Sequence, residues 1–429
     1  MMEATLTSAK NLKGVITVPG DKSISHRSLI LASLAHGRSR IANFSFSKDC
    51  LSTMNGLRSL GVEMEIDADK VVHLVGKGSE GFREPPDILD CGNSGTTMRM
   101  MLGVLAGSHL FAVLSGDRFL NRRPMGRIVE PLKKMGAHIW GREGGTKAPL
   151  AVKGTGLRGC DHRIEIPSAQ VKSALLLAGL QAKGETSVTE PFPSRDHTER
   201  MLEYLGADIQ YGDSYSRISS ARGLQAKDIQ IPGDFSSAAY FLVAALVARS
   251  SEITVRDVGI NKTRVGLVEV LERMGAHILV SDRRILNNEP VADVTCHWGA
   301  LKGVEVGGEI IPRLIDEIPV LCVAASLAEG RTVIKDAGEL HYKECDRIEA
   351  MATELAKMGA HIVATPDGFI IEGVERLRGA RVDSRFDHRV AMSLAIAALA
   401  AEGETTISNF ECVDISFPGF LDVLRSLME

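Results

Sequence analysis

The 429-residue sequence predicts an α/β protein built from six compact repeats. Three observations predict this fold. One helix-ending phrase recurs along the chain, an apolar helical phrase alternates with it, and a Pro-Gly-Asp segment occurs twice. Each repeat should supply one buried helix, one surface helix and several short strands. The repeat period of about 70 residues exceeds that of solenoid repeats, so we expect compact domains and not an open array.

The first phrase closes an amphipathic helix with the pattern Leu-x-x-Leu/Met-Gly-Val/Ala. Its copies begin at Leu57, Leu132, Leu202, Leu271 and Leu355, and the related segment 424–429 ends the chain. The glycine occupies the position where a left-handed helix C-cap is favoured, and a β-like run usually follows. The phrase therefore predicts a series of surface helices, each followed by a strand.

The second phrase is a polar turn followed by a helix of small apolar residues. Such helices are apolar on nearly all sides, which predicts that they are buried. The six copies begin near Lys22, Ser94, Ser168, Asp234, Asp316 and Asp387.

Two segments, Ile16–Asp21 and Ile229–Asp234, are near copies that read as crossings between domains. Pro-Gly in each marks a bend and a hinge. We therefore predict one domain at residues 20–233, with three repeats. The other should combine residues 1–19 with 234–429, with three repeats closed by the N-terminal strand.

The composition argues against several classes of protein. A net charge of −4 gives no basic field for nucleic acid, and 5% aromatic residues are too few for base stacking. The longest apolar run, Ala238 to Ala248, is too short to span a bilayer, and the N-terminus has no signal pattern. Seven dispersed cysteines indicate reduced thiols and a cytoplasmic protein.

Two G-x-G-x-x-G matches, beginning at Gly76 and Gly154, do not indicate a dinucleotide site. Such a fingerprint must open a helix, whereas these runs lead into Glu84-Pro-Pro and the strand-like 163–166. The 12 histidines show no ligand spacing. We expect no metal and no cofactor.

Cations and capping residues gather at the polar turns that head the helices, most clearly in the segment Val18–Ser28. A helix start presents free N–H groups and partial positive charge, so it attracts anions and disfavours cations. Gly95 would let an anion approach the backbone. If these turns face one cleft, they form a site for substrates with several phosphate or carboxylate groups. The cations are Lys22, Arg27, Arg123, Arg195, Lys343, Arg347 and Arg389.

With these motifs assembled, the chain resembles the 5-enolpyruvylshikimate-3-phosphate synthases of the enolpyruvyl transferase family. The resemblance covers essentially the whole chain and rests on G-D-K-S-I-S-H-R-S, G-N-S-G-T, R-P-M, S-A-Q-V-K-S, R-D-H-T-E-R, I-D-E-I-P, K-E-x-D-R and D-H-R, in this order. It implies an inverse α/β arrangement of six βαβαββ-type repeats, three per domain, with the active site in the interdomain cleft.

The resemblance also implies a reaction of the shikimate pathway, in aromatic amino acid biosynthesis. The 5-hydroxyl of shikimate 3-phosphate attacks phosphoenolpyruvate, and the tetrahedral adduct then loses phosphate. No nucleic acid or membrane partner is implied, and the protein should act as a cytoplasmic monomer. Gly95 leaves room for the inhibitor glyphosate, because a side chain there would crowd the phosphoenolpyruvate site.

Site residues carry over by the same resemblance. Those implied to hold shikimate 3-phosphate are Lys22, Ser23, Arg27, Ser168, Ala169, Gln170, Arg195, Asp316 and Lys343. Those implied to hold phosphoenolpyruvate are Lys22, Asn93, Gly95, Arg123, Gln170, Arg347 and Arg389. Asp316 and Glu344 are the acid/base candidates, with Lys22 stabilising or relaying charge.

The sequence departs from the family pattern at two places. Ile415 stands where many relatives have a lysine that contacts phosphoenolpyruvate, and Ala169 can contribute only its backbone. Two alternatives remain. One is the sister transferase acting on UDP-N-acetylglucosamine, although its reactive cysteine is absent between Gly116 and Pro124. The other is a non-catalytic anion-binding protein of the same fold.

Overall fold

The computed structural model describes residues 2–428, which divide into two compact units. Unit I comprises residues 20–231 together with 285–289. Unit II comprises residues 2–19, 232–284 and 290–428. Each unit has its own hydrophobic core.

Helices occur throughout both units. In the described residues the α-helices are α1 (Lys22–Leu34), α2 (Lys48–Ser59), α3 (Gly95–Ala106), α4 (Gly126–Lys134), α5 (Ala169–Gly179), α6 (His197–Tyr204), α7 (Phe235–Val247), α8 (Gly266–Arg273), α9 (Ile311–Leu314), α10 (Ile318–Ser326), α11 (Arg347–Lys357), α12 (His388–Leu399) and α13 (Phe420–Ser426). Short 3₁₀ turns lie at Ser79–Gly81, Leu120–Arg122, Glu143–Gly145, Gly308–Ile310, Gly338–Tyr342 and Phe410–Ile415.

The strands are short. Within residues 2–428 they are β1 (Ala4–Thr7), β2 (Lys13–Thr17), β3 (His36–Ala42), β4 (Glu63–Ile66), β5 (Val72–Lys77), β6 (Leu89–Asp90), β7 (Phe111–Ser115), β8 (His138–Arg142), β9 (Lys147–Lys153), β10 (Asp161–Arg163), β11 (Glu185–Thr189), β12 (Asp208–Gly212), β13 (Tyr215–Ser219), β14 (Ile229–Gln230), β15 (Glu252–Gly259), β16 (His277–Leu286), β17 (Glu289–His297), β18 (Glu305–Val306), β19 (Arg331–Ile334), β20 (His361–Thr365), β21 (Gly368–Glu372), β22 (Leu377–Arg378), β23 (Arg381–Asp383), β24 (Ala401–Glu402) and β25 (Glu404–Ser408).

The protein has both helices and short strands throughout, so the α/β prediction is confirmed. Two kinds of helix alternate along the chain. Helices α1, α3, α5, α7, α10 and α12 are buried over almost their whole length. Helices α2, α4, α6, α8, α11 and α13 bury one face only. The glycines predicted to end the surface helices have positive φ values, so that prediction is confirmed at Gly61, Gly136, Gly206, Gly275 and Gly359.

The four-stranded sheets share one pattern, in which a parallel pair is followed by two antiparallel pairings. Their orders are β14-β3-β5-β4, β6-β7-β9-β8 and β10-β11-β13-β12 in unit I, and β2-β15-β17-β16 and β18-β19-β21-β20 in unit II. In unit II, the N-terminal strand β1 pairs antiparallel with β25, which pairs in parallel with β23.

The two crossing segments exchange their edge strands. Strand β6 leads into α3 and pairs in parallel with β7, the next strand along the chain. By contrast, β2 leads into α1 yet pairs with β15, whereas β14 leads into α7 yet pairs with β3. Each crossing strand therefore belongs to a sheet of one unit, whereas the helix that follows it belongs to the other unit.

Both crossings end in an aspartate that caps a helix. Asp21 accepts a hydrogen bond from the Ile24 N–H, and Asp234 accepts one from the Ser236 N–H. The glycines before them differ in their surroundings. A Cβ atom on Gly20 would lie 1.8 Å from the Asn43 carbonyl oxygen, whereas one on Gly233 would lie 3.0 Å from a Val18 methyl group and 3.2 Å from the Asp257 carbonyl oxygen. Only the first crossing therefore excludes any side chain.

We expect Gly20→Ala to lower the free energy of unfolding by about 3 kcal/mol, because the new methyl group collides with backbone. Gly233→Ala is the matched control and should cost less, about 1 kcal/mol, because its contacts are longer and the closest one is to a Val18 methyl group that can shift. Urea unfolding followed by circular dichroism measures both. Equal losses for the two variants would contradict this account of the first crossing.

Candidate active site

In unit I, Lys22 is the first residue of α1 and lies at a partly exposed position. Its ammonium is 3.1 Å from the Asp49 carboxylate, and the two side chains are 16% and 12% exposed. Asp49 lies in the first turn of α2. Lys22 therefore remains open to solvent while an acidic neighbour fixes its position.

Arg27 lies one turn further along α1. The sequence predicts that it holds a substrate, but its guanidinium is buried and already hydrogen-bonded within unit I. Its guanidinium donates to the Ser23 carbonyl (2.8 Å), to the Thr198 hydroxyl (2.7 Å) and to the Ser173 hydroxyl (2.7 Å). Only 2% of Arg27 is exposed, and burial lowers its pKa to about 10, although Glu199 acts in the opposite direction. Arg27 thus links α1 to α5 and α6, while Ser23 is partly exposed.

Gly95 begins α3, after Ser94 has capped the helix by accepting a hydrogen bond from the Thr97 N–H (3.1 Å). A Cβ atom on Gly95 would lie 2.9 Å from one nitrogen of Arg99 and 3.3 Å from one of Arg123. Two guanidinium groups therefore flank the backbone at this helix start. Arg99 was missed in the sequence, although its position one turn after Gly95 places it on the same helical face.

Amide side chains hold these two guanidinium groups. Asn93 accepts a hydrogen bond from Arg123 (2.8 Å) and donates to Asp117 (2.7 Å). Gln170 accepts from Arg99 and donates to the Thr96 hydroxyl (2.8 Å). The contacts of Gln170 join the first turn of α5 to that of α3.

The start of α5 is capped by Ser168, whose hydroxyl accepts from the Val171 N–H (3.5 Å). Ala169 follows, and its carbonyl accepts from the Ser173 hydroxyl (2.5 Å). Ser168, Ala169 and Gln170 are all partly exposed. This turn is accessible and also tied to Arg27 through Ser173.

Arg195 is partly exposed in the turn that precedes α6. Glu190 fixes this turn by accepting hydrogen bonds from the backbone N–H and the hydroxyl of Ser194, both at 2.9 Å. Glu190 also lies 2.7 Å from Lys172, which is 2.9 Å from Glu199. Burial acts to lower the pKa of Lys172, but the two glutamates raise it overall, so the buried lysine stays charged.

In unit II, Asp316 is surrounded by three cations. Its carboxylate lies 3.4 Å from Arg347, 3.7 Å from Arg389 and 3.8 Å from Lys343. The neighbouring Glu317 is only 1% exposed and accepts a hydrogen bond from the buried Ser236 hydroxyl. Asp316, with 14% of its side chain exposed, is therefore the accessible carboxylate of the adjacent pair.

Arg347 is the first residue of α11 and is 1% exposed. It contacts the Glu344 carboxylate at 2.6 Å and the buried Asp387 carboxylate at 2.8 Å. Burial acts to lower the pKa of Arg347, but Asp387, Glu344 and Asp316 raise it well above its ordinary value. The guanidinium remains charged, although it is buried.

Asp387 was not among the predicted site residues, yet it organises this cluster. Besides holding Arg347, it caps α12 by accepting a hydrogen bond from the Arg389 N–H (2.8 Å). Arg389 in turn donates to the Asp316 carbonyl (3.2 Å). The cap position before His388 and Arg389 was the available signal in the sequence.

The structure therefore places the predicted residues in two clusters, one per unit. Lys22, Ser23, Arg27, Asn93, Gly95, Arg123, Ser168, Ala169, Gln170 and Arg195 lie in unit I, whereas Asp316, Lys343, Glu344, Arg347 and Arg389 lie in unit II. Ile415 packs against the core of unit II.

Residues 2–428 lack the features of two other kinds of site. They contain no group of three or more His, Cys, Asp or Glu side chains that could hold a metal ion. No helix in this part of the chain is long and apolar enough to cross a membrane.

Comparisons with known proteins agree along the whole chain. Residues 6–424 match the family model described as EPSP synthase (3-phosphoshikimate 1-carboxyvinyltransferase). A 3-phosphoshikimate 1-carboxyvinyltransferase from Geobacter metallireducens is 50% identical to this chain, and the match covers 100% of this chain and 99% of that protein. Another from Geotalea uraniireducens is 51% identical, and the match covers 100% of each protein. A solved EPSP synthase from Acinetobacter baumannii superposes with a TM-score of 0.89 and 40% identity, covering 99% of this chain and 98% of its own.

His26, next to this site, should make stability depend on pH. Burial lowers its pKa well below 6.5, with Lys22 and Arg27 acting in the same direction and Asp21 opposing them. The unfolded chain then binds more protons below pH 6.5, so the free energy of unfolding should fall as pH drops from 7 to 5, by at most about 1.4 kcal/mol per unit.

His26→Asn should flatten this slope, whereas replacing the exposed His361 with Asn should leave it unchanged. Some slope should persist, because burial also lowers the pKa of His162. Urea unfolding at a series of pH values measures the slope. An unchanged slope in His26→Asn would contradict the account.

Proposed function

Because the chain belongs to the EPSP synthase family, we propose that it is a 3-phosphoshikimate 1-carboxyvinyltransferase (EC 2.5.1.19). It transfers the enolpyruvyl group of phosphoenolpyruvate to the 5-hydroxyl of shikimate 3-phosphate and releases phosphate. The observation that carries the proposal is the match to relatives of this name, at about half identity, over the whole chain. The reaction belongs to the shikimate pathway, and we place it in the cytoplasm, with the protein acting as a monomer.

The unit I cluster suits anionic groups. Lys22, Arg99 and Arg123 stand at or beside the starts of α1, α3 and α4, where backbone N–H groups already favour negative charge. Guanidinium groups pair with phosphate and carboxylate through two parallel hydrogen bonds. We assign Gly95, Asn93, Arg123 and Gln170 to phosphoenolpyruvate.

Shikimate 3-phosphate, in this proposal, contacts the accessible start of α5 and the turn before α6. Ser168, Ala169, Gln170 and Arg195 are each partly exposed there. Ala169 offers only its backbone. Lys22 and Ser23 complete the contacts, and the buried Arg27 holds α1 and α5 in place beneath them.

The unit II cluster suits proton transfer beside bound anions. Asp316 and Glu344 each retain some exposure and lie next to cations that stabilise their ionised forms. In the proposed reaction, Asp316 takes the proton from the 5-hydroxyl, and Glu344 carries a proton to or from C3 of the enolpyruvyl group. Each transfer contributes about 10²–10⁴-fold to the rate. Arg347, Arg389 and Lys343 stabilise the charge of the substrates and of the departing phosphate.

The two clusters belong to different units, so the proposal requires one pair of substrates to engage residues of both. The family resemblance implies such an interdomain active site, and in this proposal the Pro-Gly-Asp crossings act as the hinges. The chemical support for this arrangement is that the two units contribute different and complementary groups. Unit I contributes phosphate-binding helix starts, and unit II contributes the carboxylates.

The direct test is phosphate release from phosphoenolpyruvate in metal-free buffer, with and without shikimate 3-phosphate. Release should require shikimate 3-phosphate and need no metal. Replacing shikimate 3-phosphate with UDP-N-acetylglucosamine tests the sister activity, and release with that acceptor alone would overturn the proposal. Binding without turnover would instead indicate a non-catalytic anion-binding protein.

Arg195→Ala should mainly weaken shikimate 3-phosphate. A lost charge-assisted hydrogen bond is worth roughly 1.5–3 kcal/mol, which is about 10–150-fold in affinity. The exposed Arg163 on β10 is the control, because Arg163→Ala removes the same charge from the same unit. Calorimetry gives the dissociation constant. If it is unchanged while the KM for phosphoenolpyruvate rises, the assignment is reversed.

Glu344→Gln separates a catalytic carboxylate from a merely structural partner of Arg347. As a structural partner alone, Glu344 would stabilise the buried Arg347, so Glu344→Gln would lower the free energy of unfolding and hardly change turnover in the folded enzyme. If Glu344 carries a proton, Glu344→Gln should lower kcat about 10²-fold or more, with both substrates still binding.

Deuterium exchange into the methylene group of phosphoenolpyruvate should fall together with kcat. The matched control is Glu349→Gln, which changes an exposed glutamate in the first turn of α11. A Glu344→Gln enzyme that turns over within a few-fold of the parent would remove Glu344 from the mechanism.

A further inference from the structure

His26 belongs to the N-terminal motif, but the proposed reaction does not use it. Its Nδ1 atom lies 2.7 Å from the Thr53 hydroxyl on α2, which lies 2.7 Å from the Thr97 hydroxyl on α3. The Thr97 hydroxyl is 2.8 Å from that of Ser94, the cap of α3. A continuous hydrogen-bonded chain thus runs from the middle of α1 to the first turn of α3.

The four side chains of this hydrogen-bonded chain are almost completely buried. His26 and Thr53 are 0% exposed, Ser94 is 1% and Thr97 is 2%. Polar groups buried this deeply destabilise a fold unless they are hydrogen-bonded, and a satisfied network favours one arrangement of its elements over others. The chain therefore fixes α1, α2 and α3 in one register.

The contacts of Thr97 determine which group donates and which accepts in each hydrogen bond of this series. The single proton of the Thr97 hydroxyl goes to Ser94 or to the Asp49 carbonyl at 3.3 Å. Thr97 therefore accepts from Thr53, and Thr53 accepts from the Nδ1–H of His26. The Nε2 atom of His26 is buried with no partner among the described residues, which is consistent with a neutral ring.

The chain ends where the first turn of α3 is set. Ser94 accepts both the Thr97 N–H and its hydroxyl, and the next residue is Gly95, beside which Arg99 and Arg123 converge. A shift of Ser94 would move the backbone of Gly95 relative to both guanidinium groups. These residues touch no proposed substrate, so any effect must pass through this turn.

We propose that His26, Thr53 and Thr97 are positioning residues for phosphoenolpyruvate, which hold the first turn of α3 against α1 and α2. The inference rests on the proposed function, because it names the substrate whose subsite the chain supports. It predicts an effect on phosphoenolpyruvate that shikimate 3-phosphate does not share.

The first test compares Thr97→Val with Thr97→Ser. Valine keeps the shape of threonine but removes the hydroxyl, and serine keeps the hydroxyl. Thr97→Val should raise the KM for phosphoenolpyruvate about tenfold, as expected for a lost hydrogen bond that leaves buried partners unsatisfied, and should change the KM for shikimate 3-phosphate less than about twofold. Thr97→Ser should restore the parent values.

The second test is at the other end of the chain. His26→Leu should raise the KM for phosphoenolpyruvate in the same way, whereas His26→Asn should rescue it, since the amide nitrogen can donate to Thr53. The double variant His26→Leu/Thr97→Val should be no worse than the more severe single variant, because both break one chain.

The control is Ser33→Ala, which removes a buried hydroxyl from the same helix α1. Among residues 2–428, that hydroxyl bonds only to the Ile30 carbonyl in its own turn (2.7 Å). This variant should leave both KM values unchanged. Where Thr97→Val fails to fold by circular dichroism, Thr97→Ala replaces it. A parent that releases no phosphate with shikimate 3-phosphate refutes the proposed function. An active parent with both KM values unchanged in the Thr97 and His26→Leu variants refutes the positioning role alone.

Discussion

The free N–H groups at the starts of buried helices are the feature on which the rest of the site depends. A helix apolar on nearly all sides can present polarity only at its ends, and Lys22, Gly95, Gln170, Asp316 and Arg389 lie at or beside such starts. In unit I these are the starts of α1, α3 and α5, and in unit II those of α10 and α12. The remaining cations Arg123, Arg195 and Arg347 stand at or before the starts of the surface helices α4, α6 and α11. Side-chain caps from Asp21, Ser94, Ser168 and Asp387 satisfy some of the N–H groups.

The two units place different chemistry at these starts. In unit II, carboxylates surround the buried Arg347, so the guanidinium stays charged and the acids stay close to it. In unit I, amide oxygens of Asn93 and Gln170 accept from Arg123 and Arg99. An amide orients a guanidinium without neutralising it, which suits a group that must still bind a phosphate or carboxylate. The proposed roles, with anion binding chiefly in unit I and proton transfer in unit II, rest on this difference.

The sequence predicted what depends on local pattern. Helix periodicity predicted the buried and surface helices, and the left-handed glycines predicted the ends of the surface helices, since both follow from side-chain spacing and backbone sterics. The sequence predicted the two crossings from the repeated Pro-Gly-Asp segment. It did not predict that β2 pairs with β15 and β14 with β3, because pairing between distant strands leaves no local signature. The burial of Arg27 and the roles of Arg99 and Asp387 likewise depend on which side chains the fold brings together.

The central claim is that one pair of substrates engages first-turn residues of both units. A crystal structure with shikimate 3-phosphate and phosphoenolpyruvate tests it most directly. The account predicts substrate density within hydrogen-bonding distance of Lys22, Gln170 and Arg123, and also of Asp316 and Arg347. Density for both substrates that contacts residues of only one unit would contradict it.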